Sequence, residues 1–206
     1  IVDGDVTANV QVEGVVDVKQ LGSQVLEYSA ADAAGNLSGV VLRTVTVADT
    51  QPPLILLNGE PSIQVEAGSV YVDSGATATD VFDGEISSSL ESVSNVRTDV
   101  PGLYSVKYNV SDVAGNAASE VARLVDVVDT TGPVISLTGE NVAVTAYGLN
   151  YVDPGVTARD LIDGDVSDRV EVMSYLDTTR LGTYEIHYSA TDKSGNLGEP
   201  VTRVVV

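Results

Sequence analysis

The chain repeats itself every 80 residues. Asp3-Gly4-Asp5 returns as Asp83-Gly84-Glu85 and again as Asp163-Gly164-Asp165. Asp32, Gly35 and Asn36 return as Asp112, Gly115 and Asn116, and then as Asp192, Gly195 and Asn196. Tyr28, Tyr108 and Tyr188 share one register; Arg43, Arg123 and Arg203 share another. A fixed period is read before composition because it sets the architecture. It also weighs on function. A reaction centre is needed once, whereas a structural joint is needed at every unit. The period divides the chain into a partial unit, 1–48, and two full units, 49–128 and 129–206.

The units read as all-β. Short β-branched runs alternate with turn residues at close intervals, and helical periodicity is missing. In Tyr104 to Ser111, Val106, Tyr108 and Val110 fall on one face, and Ser105, Lys107 and Asn109 on the other. The same strand recurs at 26–30 and 186–190. A second follows the Gly-Asn turn at Val41–Val47, Val121–Val128 and Val201–Val206, making a hairpin. Upstream, Pro53–Leu57 and Pro133–Leu137 read as opening strands, continued by Ile63–Val65 and Val142–Val144. About seven short strands per unit predict an antiparallel β-sandwich with Greek-key connections. Tyr104 and Tyr184 sit where a tyrosine corner would tie a loop to its own backbone, and Gln24 replaces them in the first unit.

Linkers at 48–53 and 128–133 are short and contain proline, so they are stiff. Ile1 aligns with Val81 and Leu161, so the first unit lacks the opening strands of the others. Three explanations stand: a window cut from a longer array, opening residues absent from the fragment or disordered, or strands donated by another subunit.

The pattern resembles the tandem immunoglobulin-like domains of bacterial surface proteins. Carrying it are Tyr151-x-Asp153-x-Gly155, then Asp160-x-x-Asp163-Gly164-Asp165, then Gly182-x-Tyr184-x-Ile186-x-Tyr188, then Asp192-x-x-Gly195-Asn196 and Arg203. It is closest to a subgroup also found in a pesticidal crystal protein and is similar to hyalin repeats. The resemblance covers units two and three and the visible part of unit one, with Glu85 a conservative departure. It implies an extracellular sandwich used as a spacer or adhesive stalk, carries no catalytic residues, and leaves binding specificity open.

Thirty acidic residues face ten basic ones, a net charge of −20. Such a surface repels nucleic acid and anionic lipid and attracts cations. No apolar run is long enough for membrane insertion. On an immunoglobulin-type topology, three segments carry acids to one pole of each full unit. In unit two these are the linker residue Asp49, the loop Asp80, Asp83 and Glu85, and the hairpin loop Asp112 and Asn116. In unit three they are Asp129, then Asp160, Asp163 and Asp165, then Asp192 and Asn196. Converging like charges need an offset. Calcium suits them: it accepts six to eight oxygens in loose geometry, whereas magnesium demands a tight octahedron and zinc prefers nitrogen and sulfur. Against this stands turn chemistry, since Asp-Gly and Gly-Asn favour tight turns without any ligand. Asp112 and its equivalents also have an alternative partner, the inward-leaning Arg43, Arg123 and Arg203, which need one if buried.

Other chemistry is weakly supported. His187 is the sole histidine and lies on an outward face, and every prominent carboxylate is copied in another unit, which disfavours an active site. There is no tryptophan to make a sugar platform; Tyr147, Tyr151 and Tyr175 are the candidates. The resulting expectation is a non-catalytic, extracellular or cell-surface spacer, stalk or fibre whose joints calcium stiffens. Its partners are neighbouring repeats of the same chain. The alternatives are a module binding a glycan or surface receptor, and a filament subunit completed by a donated strand.

Overall fold

The computed structural model describes residues 3–206. The first repeat forms β1 (Val10–Glu13), β2 (Gly22–Ala30) and β3 (Val41–Val47). The second forms β4 (Leu54–Leu57), β5 (Ser62–Glu66), β6 (Ala76–Asp80), β7 (Gly84–Glu85), β8 (Glu91–Ser94), β9 (Gly102–Asn109) and β10 (Val121–Val128). The third forms β11 (Val134–Leu137), β12 (Val142–Ala143), β13 (Val156–Asp160), β14 (Gly164–Asp165), β15 (Val170–Ser174), β16 (Tyr184–Ala190) and β17 (Val201–Val205). Each full repeat thus has seven strands, as its sequence predicts. Among the described residues the only helical turns are 3-10 turns at Thr7–Asn9, Ser87–Ser89 and Ser167–Arg169.

By compactness the chain forms two units. One runs to Leu56 and adds Ala76–Glu91 and Tyr108–Val121; the other takes Leu57–Gly75, Ser92–Lys107 and Ala122–Val206. The division crosses the second repeat, whose acidic loops belong to the former and whose β5 and β10 belong almost wholly to the latter.

The third repeat shows how the sandwich closes. A three-stranded sheet, β11-β13-β14, faces a four-stranded one, β12-β17-β16-β15. Ile135, Ala158 and Val166 meet Ile186, Tyr188, Ala190 and Val205 in one buried cluster. Alternation along β16 turns Ile186, Tyr188 and Ala190 inward. Each buried aliphatic side chain contributes about 1.5–3 kcal/mol. The second repeat has the same strand orders, β4-β6-β7 and β5-β10-β9-β8.

Two expectations need correction. The sheets are not purely antiparallel: β5 runs parallel to β10, and β12 to β17. The opening and closing strands travel in one direction, so the continuation of the opening strand joins the other sheet in parallel with the last strand. The arginines, moreover, pair with Asp73 and Asp153, not with Asp112 or Asp192. Arg203 Nη2 donates to the Thr138 and Gly155 carbonyls at 2.8 and 3.0 Å. Its Nη1 lies 3.2 Å from Asp153 Oδ1, at ion-pair distance but off hydrogen-bond alignment. Arg123 likewise donates to the Asn58 and Gly75 carbonyls, and its Nη1 lies 3.1 Å from Asp73 Oδ1. The Tyr-x-Asp-x-Gly segment supplies the carboxylate because it lies beside the arginine's inward face, while Asp112 and Asp192 are bonded within their own hairpin loops. Tyr71 donates to Asp73; burial and that carboxylate push its phenol up to about 12. Arg43 is exposed and stands 5.3 Å above the Tyr28 ring, a cation–π contact in place of the expected ion pair.

The corner locks form as predicted. The Tyr104 hydroxyl donates to Val100 O at 2.8 Å and Tyr184 to Arg180 O at 3.1 Å. In the first repeat Gln24 Nε2 replaces the phenol, donating to Gln20 O four residues back at 3.0 Å.

Candidate functional site

The acidic loops are built by hydrogen bonds that recur with the period. At the end of β6, Asp80 Oδ1 accepts the amides of Phe82 and Asp83 at 2.7 and 2.9 Å; Asp160 does the same for Ile162 and Asp163. Gly84 and Gly164 then take φ of 73° and 74°, a left-handed turn that glycine enters freely. Asp83 Oδ2 reaches across to accept the Val113 amide, as Asp163 accepts Lys193 and Asp3 accepts Ala33. Within the hairpin loops, Asp112 binds both the amide and the side chain of Asn116, and Asp192 those of Asn196. Each asparagine then donates from Nδ2 to a linker carbonyl, Asn116 to Asp49 at 3.4 Å and Asn196 to Asp129 at 3.0 Å.

Carboxylates from the linker and the turn come together in the second repeat, and from linker, turn and hairpin loop in the third. Asp49, Asp80 and Asp83 each bring an oxygen within 4.8 Å of the others, and so do Asp129, Asp163 and Asp192. Asp112 stays outside the first triad and Asp160 outside the second. Glu85 and Asp165 were expected at these clusters and do not join them. They bond the first residue of the 3-10 turns instead: Glu85 accepts the Ser87 amide at 3.0 Å, and Asp165 accepts the amide and hydroxyl of Ser167. These serine bonds hold both carboxyls below their usual range.

The triads differ in saturation. Asp80 is only 8% exposed, and backbone bonds from Asp83 and Phe82 hold its carboxyl below its ordinary value. Its Oδ2 is buried with no hydrogen-bond partner. In the other triad Lys193 Nζ lies 3.3 Å from Asp163 Oδ1, Ser194 Oγ donates to Asp129 Oδ2 at 3.0 Å, and Asp192 has Asn196 on both oxygens. Arg169 Nη1 donates to the Asp192 carbonyl at 2.8 Å. Lys193 and Arg169 escaped the sequence reading. Their signal was in the register, where they replace Val113 and Ser89. The linker grip of Glu66 was also missed: it accepts the Thr130 amide and the Thr130 and Thr131 hydroxyls.

The remaining candidates find ordinary settings. His187 bonds Thr202 across the hairpin and lies 3.3 Å from Glu185. Tyr147 and Tyr175 are exposed, whereas Tyr151 packs against the core of the third repeat, which removes it from the candidates for a sugar platform. Among the described residues no helix is long and apolar enough to cross a membrane.

Two-sheet modules repeated in tandem are the architecture of immunoglobulin-like arrays. The chain belongs to the family of bacterial surface protein, Ig-like domains, which matches residues 2–47, 55–127 and 135–206. It is 26% identical to pesticidal crystal protein Cry22Aa of Bacillus thuringiensis, over all of this chain and 28% of that protein. It is 34% identical to hyalin of the sea urchin Lytechinus variegatus, over 70% of this chain and 29% of that one. An uncharacterized 81.3 kDa protein of Acholeplasma phage L2 is 33% identical over 63% of this chain and 18% of its own length. The chain thus spans less than a third of the curated relatives it matches. It is a surface-protein repeat of a family that is generally non-catalytic.

Proposed function

We propose that these repeats form a spacer in a bacterial surface protein, and that calcium held by the acidic loops stiffens the passage from one repeat to the next. The observation that carries the calcium reading is Asp80, which joins carboxylates from the linker and the loop after β6 and whose Oδ2 is buried and unpartnered. A buried carboxylate oxygen without a donor is costly, and a hard cation relieves it. Calcium accepts such oxygens, and the irregular loops suit its loose geometry. Asp49 would link the linker to the module, so binding would order the linker.

The test is limited proteolysis and thermal unfolding of the chain in calcium, magnesium and chelator. At one hundred times its dissociation constant, calcium stabilises by about 2.7 kcal/mol. The expected result is a raised thermal midpoint and slower cleavage near Asp49 in calcium alone. Identical midpoints and cleavage in calcium and chelator would reject the calcium reading and leave an unliganded spacer.

A further inference from the structure

The inference that follows rests on the calcium reading and concerns which loops take the ion. The two clusters share two register positions, Asp49 with Asp129 and Asp83 with Asp163, and differ in the third member, Asp80 in one and Asp192 in the other, and in the charge around them. In the repeat that holds Asp49, Asp80 and Asp83, Val113 gives its amide to Asp83, and register positions 114 and 89 are alanine and serine, none of the three cationic. Their counterparts around Asp129, Asp163 and Asp192 are Lys193, Ser194 and Arg169. The lysine and serine bond acids of the cluster, and the arginine bonds the Asp192 carbonyl.

We propose that the chain has one divalent-cation site, at Asp49, Asp80 and Asp83, and that in the third repeat the ammonium of Lys193 takes the place of that cation. A bound divalent ion near Asp163 would face both the Lys193 ammonium and the Arg169 guanidinium, and like charges at such range repel strongly. It would also have to displace donors from Asp192 and Asp129, whose oxygens are already bonded. In the second repeat Asp80 Oδ2 is buried without a donor, so a cation displaces nothing from that oxygen. Lys193 is 64% exposed, so charge rather than burial holds it, and it can be replaced without disturbing the core.

The experiment is calorimetric titration of calcium into the 206-residue chain, its Lys193→Met variant and its Val113→Lys variant. Val113 and the Lys193 side chain are both largely exposed, and circular dichroism checks that each variant keeps its strands. The parent chain is expected to take up one equivalent. Val113→Lys should weaken that uptake at least about tenfold, because it places an ammonium beside Asp83. Lys193→Met should add a second equivalent. Two equal equivalents in the parent chain, or one that Val113→Lys leaves unchanged, would overturn the assignment while leaving calcium binding intact. No uptake by any of the three proteins would instead sink the calcium reading itself.

Discussion

The loops around Asp80 and around Asp160 are the same turn built twice, yet they are held in place differently. At the later one, Ile162 packs against a buried cluster of Ala67, Val125 and Val127. Gly68 comes so close that a Cβ there would lie 2.7 Å from Leu161 Cδ2. Glu66 grips Thr130 and Thr131, and Lys193 sits on Asp163. At the earlier one, Phe82 remains 40% exposed, and it shares an open hollow with Val81, Val18 and Lys19. One loop is fixed by packing and covalently tethered charges; the other has its acids assembled with one oxygen unmet. Identical turn chemistry therefore does not imply identical packing or identical bonding of its acids.

The largest expected contrast is in packing. Ile162→Ala should cost about 2–3 kcal/mol, since it empties part of a buried contact, whereas Phe82→Ala should cost under about 1 kcal/mol. Urea unfolding of both variants measures this, and equal losses would break the comparison. Smaller is the contrast between Gly68→Ala and Gly148→Ala. The two glycines are equivalent by register and have φ of 76° and 75°. At Gly148 the new methyl meets open space, so only left-handed strain remains, about 1 kcal/mol. At Gly68 it also meets Leu161, and a loss of about 2 kcal/mol is expected. The difference isolates the contact with the Leu161 loop.

The smallest effect is set by pH. The Thr130 amide and the two threonine hydroxyls hold Glu66 below its usual 4.5. A lowered folded-state pKa means the grip is fully present above 4.5 and is lost as pH falls through the folded value. Hydrogen-exchange protection at Thr130 should therefore fall on acidification below that point. Glu66→Gln should remove this dependence; a pH response unchanged by the substitution would show that the grip lies elsewhere.

Much of this was legible in the sequence. The period announced the seven strands, the β9–β10 and β16–β17 hairpins, and the tyrosine corners, because these depend on local alternation and on register. The convergence of Asp49 with Asp80 and Asp83 was legible because chain direction alone sends linker and loops to one pole. Other features were not. β7 and β14 are two residues long, too short to show alternation. The parallel pairing of β5 and β12 and the Asp73 and Asp153 partners of the arginines depend on the path of a strand between sheets, which no spacing encodes. Glu85 and Asp165 were misassigned although each stands two residues before a serine whose amide it can bond, a local signal visible in the chain. Lys193 was visible too, as a departure from a repeat read for its sameness.

Hydrogen exchange at residues 49–58 and 129–138, followed with calcium and then with chelator, tests the central claim most directly. The account predicts that calcium slows exchange in the first segment, that chelation reverses it, and that the second segment stays constant throughout. Exchange at 49–58 that ignores calcium would contradict the claim that Asp49, Asp80 and Asp83 close around a cation.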